Sequence, residues 1–484
     1  MPIRTLEPKS LWNHFADLNA VPRPSKKEDR FIEFMMKFGQ DLNLETIKDA
    51  TGNVVIKKPA TPGMENRKRV ILQSHLDMVH QKNGETVFDF DKEGIRMQVN
   101  GDWVDADGTT LGADNGIGVA TIMATLSSTD IPHPPLEALF TIDEETGMTG
   151  AKEMDGGLFN GQILLNLDTE DDDELSIGCA GGIDTNTSYT AKQITPPENH
   201  AFFEISIKGL LGGHSGMDID SGRGNANKWL ARMLWNLSRK MNLCIGAFDG
   251  GGLRNAIPRE ANATLSVAPS DMDTLKSEFN SFCAILRSEF KSIEPHFSIT
   301  IMETSPLQKV LDQQDCNAIL NSLCSLHNGV YRMSPDIEGL VETSSSLARV
   351  LIENGEFTTQ SLQRSSVEST KDEIAMVMRS NFENMGCQVI QTGDYPGWQP
   401  NPNSAILTIM EKLYKDLFNE TPQVKACHAG LECGILGTHL PEVDMISFGP
   451  NIRAAHSPDE KVQISSVQKF WKFYLETLKA IPSN

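Results

Sequence analysis

The side chains best equipped for chemistry are His75 and Asp77, Asp114, the run Asp143-Glu144-Glu145, and Asp168. Each lies where an apolar segment or a glycine-rich loop gives out. Carboxylates at the edge of a core must be neutralised by protons, by basic partners or by metal, and after Glu145 no Lys or Arg follows until Lys152. Taken alone, the acidic run is equally readable as a solvated turn after an edge strand. His75 and Asp77 stand at i and i+2, so their side chains leave an extended backbone on one face. That spacing lets a carboxylate orient a metal-binding imidazole, although a histidine at a strand end also serves as a hydrogen-bonded core residue. The loop GADNGIG before an apolar helix could cradle an anion, but it lacks the lysine of a phosphate loop, and Asp105, Asp107 and Asp114 would repel phosphate. Cation binding suits it better.

These groups need a scaffold that brings distant positions together. Continuous apolar runs predict strands at 70–75, 138–142 and 163–167, buried on both faces of a mixed or parallel sheet. Each finishes in histidine or carboxylate, and strand C-termini of an open α/β sheet line one crevice. Residues 9–43 read as helix, joint and helix, with Ser25 and Glu28 forming a capping box. A strand at 53–57 and a helix at 119–126 complete the first part. The stretch 178–182 (GCAGG) reads as a hinge, followed by alternating strands and helices: 202–210, 227–237, 263–270, 272–290, 297–303, 309–327, 329–333, 337–342, 345–352, 371–384 and 388–393. A Pro- and Gly-rich segment at 394–404 closes this insertion, and a helix at 404–417 and a strand at 445–448 resume the first pattern. The expectation is a split α/β catalytic domain, a mixed sheet flanked by helices, over 1–181 and 397–484, with an inserted α+β lid over 182–396.

The 484 residues allow roughly two to four domains. A net charge of -22 disfavours nucleic acid and anionic membranes as partners and favours metal ions or substrates with a free amine. The N-terminus lacks the apolar core of a signal peptide, and no run approaches about 18 apolar residues. A cytoplasmic location is the expectation. The eight scattered cysteines, with no CxxC pair, suggest thiols rather than a disulfide framework.

Eight blocks, in order, carry a resemblance: SHLDMV (74–79), GADNGIG (112–118), DEETGMTGA (143–151), NLDTED (166–171), GGHSG (212–216), RNAIPREA (254–261), HAGLECG (428–434) and AHSPDE (455–460). Over essentially its whole length the chain resembles the aminoacyl-histidine dipeptidases, the carnosinase-like branch of the co-catalytic di-zinc peptidases, whose wider superfamily includes aminoacylases. The resemblance implies two zinc ions per chain, with Mn or Co as possible substitutes. His75, Asp114 and Asp168 would serve one ion, while Asp114 bridges to a second held by Glu145 and His456. Asp77 would orient His75, and Glu144 would be the general base for a metal-bridged water. It further implies that His214, Asn255, Arg364 and Gly430 bind substrate, and that the lid forms a homodimer. Dipeptides ending in histidine are the implied substrates. A broader dipeptidase, an N-acyl-amino-acid hydrolase and a non-catalytic peptide-binding scaffold are the alternatives. Asp143 acquires no role and remains a turn residue. His428 and Glu432 suit either a pocket or packing.

Overall fold

The structure is a computed structural model describing residues 2–484. The chain forms two compact units. The first comprises residues up to Gly178 with Pro400–Ala426 and Leu431–Asn484, and the second comprises Cys179–Gln399 with Cys427–Gly430.

The first unit is built on an eight-stranded sheet. Its strands are β1 (Glu45–Lys48), β2 (Val54–Lys58), β3 (Val70–His75), β4 (Leu136–Thr141), β5 (Ile163–Asn166), β6 (Glu174–Cys179), β7 (Gln423–Cys427) and β8 (Asp444–Ser447). They are ordered β1-β2-β4-β3-β5-β8-β6-β7. β4, β3, β5 and β8 run parallel, and β1 and β2 pair antiparallel at one side. Burial on both faces explains the unbroken apolar runs: Val70, Ile71 and Leu72 in β3 and Leu164 and Leu165 in β5 are all fully buried. The parallel register aligns His75 with Thr141, and Gln73 with Asn166. The C-terminal ends of the three strands predicted to finish in chemistry therefore lie side by side.

Helices cover this sheet. Lys9–Leu18 buries Leu11, Trp12, Phe15 and Leu18, while Ala113–Ser127 is apolar nearly all round and buried throughout its length after Asn115 except at its last residue. That helix is kinked at Asp114 and Asn115, which a cis peptide joins. The helix Asp29–Asp41 starts where expected, but not by the expected capping box. Ser25 Oγ donates instead to Asp77 Oδ2 at 2.7 Å, and Glu28 Oε1 accepts the backbone N–H of Asp143 at 3.1 Å. Both polar groups serve long-range partners because the loop after β3 and the turn after β4 present buried groups that need them. A four-stranded sheet pairs Met97–Asn100 with Trp103–Ala106, and the latter with Lys461–Gln463, which hairpins onto Ile452–Arg453.

The second unit has a nine-stranded antiparallel sheet with the path 298–303, 201–208, 261–267, 243–251, 341–353, 356–365, 181–190 and 388–395, and with 329–333 paired to 341–353. The helices Ala226–Ser238, Met272–Glu289, Gln313–Ser325 and Glu368–Met385 supply its core with Trp229, Leu234, Phe282, Leu320 and Phe382. Two local expectations are corrected. Residues 337–342 and 345–352 are not separate strands: Val341–Glu353 is one, whose buried serines hide it from an apolar pattern, Ser344 and Ser345 on side-chain hydrogen bonds. Gly181 and Gly182 are strand residues, and a Cβ at Gly181 would meet the Tyr395 carbonyl and the Gly397 amide. Close backbone packing, rather than hinge freedom, calls for glycine there. Among the described residues no helix is long and apolar enough to cross a membrane.

Candidate active site

In the first unit, β3 delivers His75 at its last residue, with a ring only 1% exposed. Its Nε2 lies 3.1 Å from Asp114 Oδ1 and 3.5 Å from Asp168 Oδ1. On the other side, Nδ1 lies 3.2 Å from the Asp77 carbonyl and 3.4 Å from Asp77 Oδ1. The second oxygen of Asp114, Oδ2, stands 3.2 Å from His456 Nε2, and that imidazole is 2.9 Å from Glu145 Oε2. One carboxylate thus faces two histidines, one on each of its oxygens. Asn115 anchors Asp168 by donating from Nδ2 to Oδ1 and to the Leu167 carbonyl.

The turn after β4 carries the acidic run. Asp77, fully buried, organises it: Oδ1 accepts the backbone N–H of Glu144 at 3.0 Å and Oδ2 that of Glu145 at 3.3 Å. Asp143 is not a solvated turn residue. It is buried, with positive φ, and its carboxylate accepts the hydroxyls of Thr146 and Thr149, which hold the turn closed. Sequence reasoning also left Glu432 undecided. The structure buries it, with Oε2 accepting from Gln73 Nε2 at 2.7 Å and Thr141 Oγ1 at 2.8 Å. Gln73 Oε1 in turn accepts from Asn166 Nδ2, so Gln73, Thr141, Asn166 and Glu432 form one buried hydrogen-bonded group.

The electrostatics are those of crowded carboxylates. Burial raises the Glu144 carboxyl well above its ordinary value; His75 works against this, and Asp168, Glu432 and Glu145 add to it. Asp168 is pushed up to about 6 by burial, with the charges of Asp114 and Glu145 adding to it. Glu432 is pushed up to about 7, also by burial first. For His75 burial acts downward, but Asp168, Asp114 and Asp77 outweigh it and hold the ring well above its usual range. Hydrogen bonds to Asp114 and Glu145 push His456 up to about 11.

Whether a divalent ion suits these residues can be tested on their own bonding. The groups His75–Asp114–Asp168, His75–Glu144–Glu145 and Asp114–Glu145–His456 each offer ligand atoms within 4.8 Å of one another. Glu145 Oε1 is buried with no hydrogen-bond partner. The nearby buried cation, Arg23, donates to the carbonyls of Leu76, Asp77 and Gly112 and to Asn19 rather than to these carboxylates. Imidazole and carboxylate donors without a basic counter-ion fit zinc and its borderline neighbours.

The other four predicted residues belong to the second unit. His214 pairs in a bridge with Ala256, its Nδ1 accepts the backbone N–H groups of Gly216 (3.2 Å) and Met217 (3.0 Å), and its proton therefore sits on Nε2. Arg364, in the strand 356–365, is 5% exposed, donates from Nη1 to Tyr395 Oη at 2.9 Å, and leaves Nε without a partner. Gly430 faces the Tyr395 ring, which a Cβ would approach to 3.1 Å. Asn255 is exposed, and its main-chain carbonyl, not its amide, accepts from Ser215 N. His428 joins this group: Nε2 is 2.7 Å from Ser344 Oγ, Nδ1 is buried without a partner, and burial, then Arg364 and His214, push it down to about 3. A Cβ on Gly216 would meet the His428 carbonyl and stand 3.1 Å from both Arg364 Nε and His214 Cε1, so His214, Arg364 and His428 converge around that glycine. Tyr395 carried no signal in the sequence.

The chain is similar to known proteins over essentially its whole length. A family model described as peptidase family M20/M25/M40 matches residues 71–480. The cytosol non-specific dipeptidase of Escherichia coli (strain K12) is 41% identical over 478 residues, covering 99% of each chain. The crystal structure of aminoacylhistidine dipeptidase from Vibrio alginolyticus superposes with a TM-score of 0.96 at 42% identity, covering 100% of this chain and 99% of that one. Aminopeptidase PepT from Bacillus cereus, at 16% identity and a TM-score of 0.57, shares the fold over 98% of this chain and 99% of its own. The chain belongs to peptidase family M20/M25/M40 and is a hydrolase of peptide bonds.

Proposed function

We propose that the chain is a metal-dependent dipeptidase. His75, Asp114 and Asp168 would hold one divalent cation and Asp114, Glu145 and His456 a second, zinc being the first choice and Mn or Co possible substitutes. The observation that carries this reading is the division of the Asp114 carboxylate between His75 and His456. Two such cations, when bound, supply Lewis acidity for the scissile carbonyl and lower the pKa of water toward neutrality.

The protein's own groups do the rest. Asp77 fixes the His75 ring and the turn of Glu144 and Glu145. Glu144, with its raised proton affinity, serves as general base and then returns the proton to the leaving amine. In the second unit, Arg364 offers an unused Nε–H to the C-terminal carboxylate of a dipeptide, and His214 offers Nε2–H to an oxygen that gains charge. Asn255 and Gly430 line the same substrate-binding set. The inserted segment 182–396 is read as a lid through which two copies dimerise, and the setting as cytoplasmic.

Substrates of the Xaa-His type are the preferred reading, supported by the name of the Vibrio relative. The name of the Escherichia coli relative favours the broader reading, a dipeptidase indifferent to the second residue. Rates on β-Ala-His, Leu-Gly and N-acetyl-Met at equal concentration separate these from an N-acyl-amino-acid hydrolase. No turnover of any unblocked dipeptide by zinc-loaded protein rejects the dipeptidase reading, and fewer than one bound ion per chain favours a peptide-binding scaffold.

A further inference from the structure

The loop Leu111–Asp114 ends in the carboxylate that faces both histidines, and a side chain from the far end of the sequence holds it. Glu460 Oε2 accepts the backbone N–H groups of Leu111 (2.7 Å) and Gly112 (2.9 Å), while Oε1 accepts those of Ala113 (2.7 Å) and Asp114 (3.3 Å). From the opposite side, Arg23 donates to the Gly112 carbonyl and, at 3.1 Å each, to those of Leu76 and Asp77. Both charged side chains are essentially buried, Glu460 at 2% and Arg23 at 1% exposure. Gly112 is left-handed (φ 68°), and a Cβ there would collide with Arg23 Nη2. Taking these two charges out of water is costly, and the hydrogen bonds to the loop offset part of that cost, although Arg23 Nε is left without a partner.

Glu460 shares its hairpin loop with His456, the loop being closed by the pairing of Ile452–Arg453 with Lys461–Gln463. One short segment therefore supplies an imidazole to the Asp114 carboxylate and a clamp to the Asp114 backbone. On the other flank, Asp77 and Asn115 hold His75 and Asp168 without help from this loop.

We propose that Glu460, opposed by Arg23, is a positioning residue that sets the Asp114–His456 separation before any cation arrives, and that it governs the position between Asp114, Glu145 and His456 selectively. The inference rests on the metal-centre reading above. It is tested by loading wild type and Glu460→Gln with zinc, desalting, counting ions, and measuring zinc affinity by chelator competition alongside melting of the metal-free forms. Wild type retaining two ions and the variant about one, with at least tenfold weaker binding of the second and activity recovered by excess zinc, is the expected result. Two ions held by the variant at wild-type affinity overturn the proposal even where its melting temperature falls, because that result describes a purely structural residue. A wild type that keeps no zinc removes the centre itself. Should the variant fail to fold, hydrogen exchange on metal-free wild type decides: peptides spanning 111–114 are expected to be as protected as in the loaded protein, and fast exchange there refutes a preformed clamp.

Discussion

The Asp77 carboxylate accepts the backbone amide of Glu144 at 3.0 Å while the same oxygen stands 3.4 Å from His75 Nδ1. A residue just past β3 therefore orients the histidine before it and the turn that follows the neighbouring strand. Ser25 Oγ fixes the other carboxylate oxygen. Burial works against ionisation, but the His75 ring and the Ser25 and Glu144 hydrogen bonds hold the carboxyl below its ordinary value.

Asp77→Asn follows from this. The amide can satisfy the Glu144 N–H and face His75 with its oxygen, but its NH2 group then meets the Glu145 N–H and the Ser25 hydroxyl, and the charge that favours the metal-binding tautomer is gone. Metal affinity is expected to fall by about 10–100-fold, as for other partners that orient ligands. Metal titration of the purified variant checks this, and unchanged affinity would refute the orienting role.

Glu144→Gln separates chemistry from metal binding. The side chain keeps its size, and its neighbour Glu145 still faces His456 at 2.9 Å. Removing a general base costs about 10²–10⁴-fold in kcat. The expected variant keeps its full metal content and loses activity to that extent; normal turnover would assign the base elsewhere.

Much of this was legible in the sequence, for a physical reason. Strands buried on both faces announce themselves as apolar runs, so the ends of β3, β4 and β5, and with them His75, the acidic run and Asp168, could be read locally. Bonds between distant segments could not. Ser25 and Glu28 fit a capping box by spacing, yet Asp77 and Asp143 claim them across the fold. Glu460 showed only as the end of AHSPDE, because four amides about 350 residues earlier give no periodic signal. Asp143 looked solvated because an acidic turn usually is, and only Thr146 and Thr149, brought round by the turn, allow its burial.

In the second unit, Arg364→Lys tests substrate anchoring. Lysine can replace the charge but not the fork that bonds Tyr395 Oη while leaving Nε–H free. A charged hydrogen bond contributes about 1.5–3 kcal/mol, so KM for dipeptides is expected to rise by about tenfold or more, with a smaller change in kcat. Steady-state kinetics on β-Ala-His decide, and an unchanged KM would remove Arg364 from the binding set.

Stability of the metal-free protein should fall as pH rises from 6 to 9, and the sign follows from the shifted groups. His456 has an ordinary value of 6.5 and is pushed up to about 11 by Asp114 and Glu145, so its contribution is complete below 6.5 and is lost as pH climbs toward 11. Because this imidazole is 55% exposed, solvent screening keeps that contribution small. Glu432 moves from 4.5 to about 7 through burial; a buried acid with a raised value favours the fold while protonated and opposes it once ionised, so it too acts against stability between 4.5 and 7. Both act in one direction, Glu432 up to about pH 7 and His456 above 6.5, whereas buried His428, pushed down to about 3, acts oppositely only up to about 6.5. Divalent cations replace the protons that these clustered carboxylates and imidazoles otherwise share, so zinc-loaded protein should show a flattened or reversed slope. Thermal unfolding in chelator and in zinc at pH 6, 7.5 and 9 measures both curves. A metal-free protein more stable at pH 9 than at pH 6 would contradict the proton-sharing arrangement around Asp114.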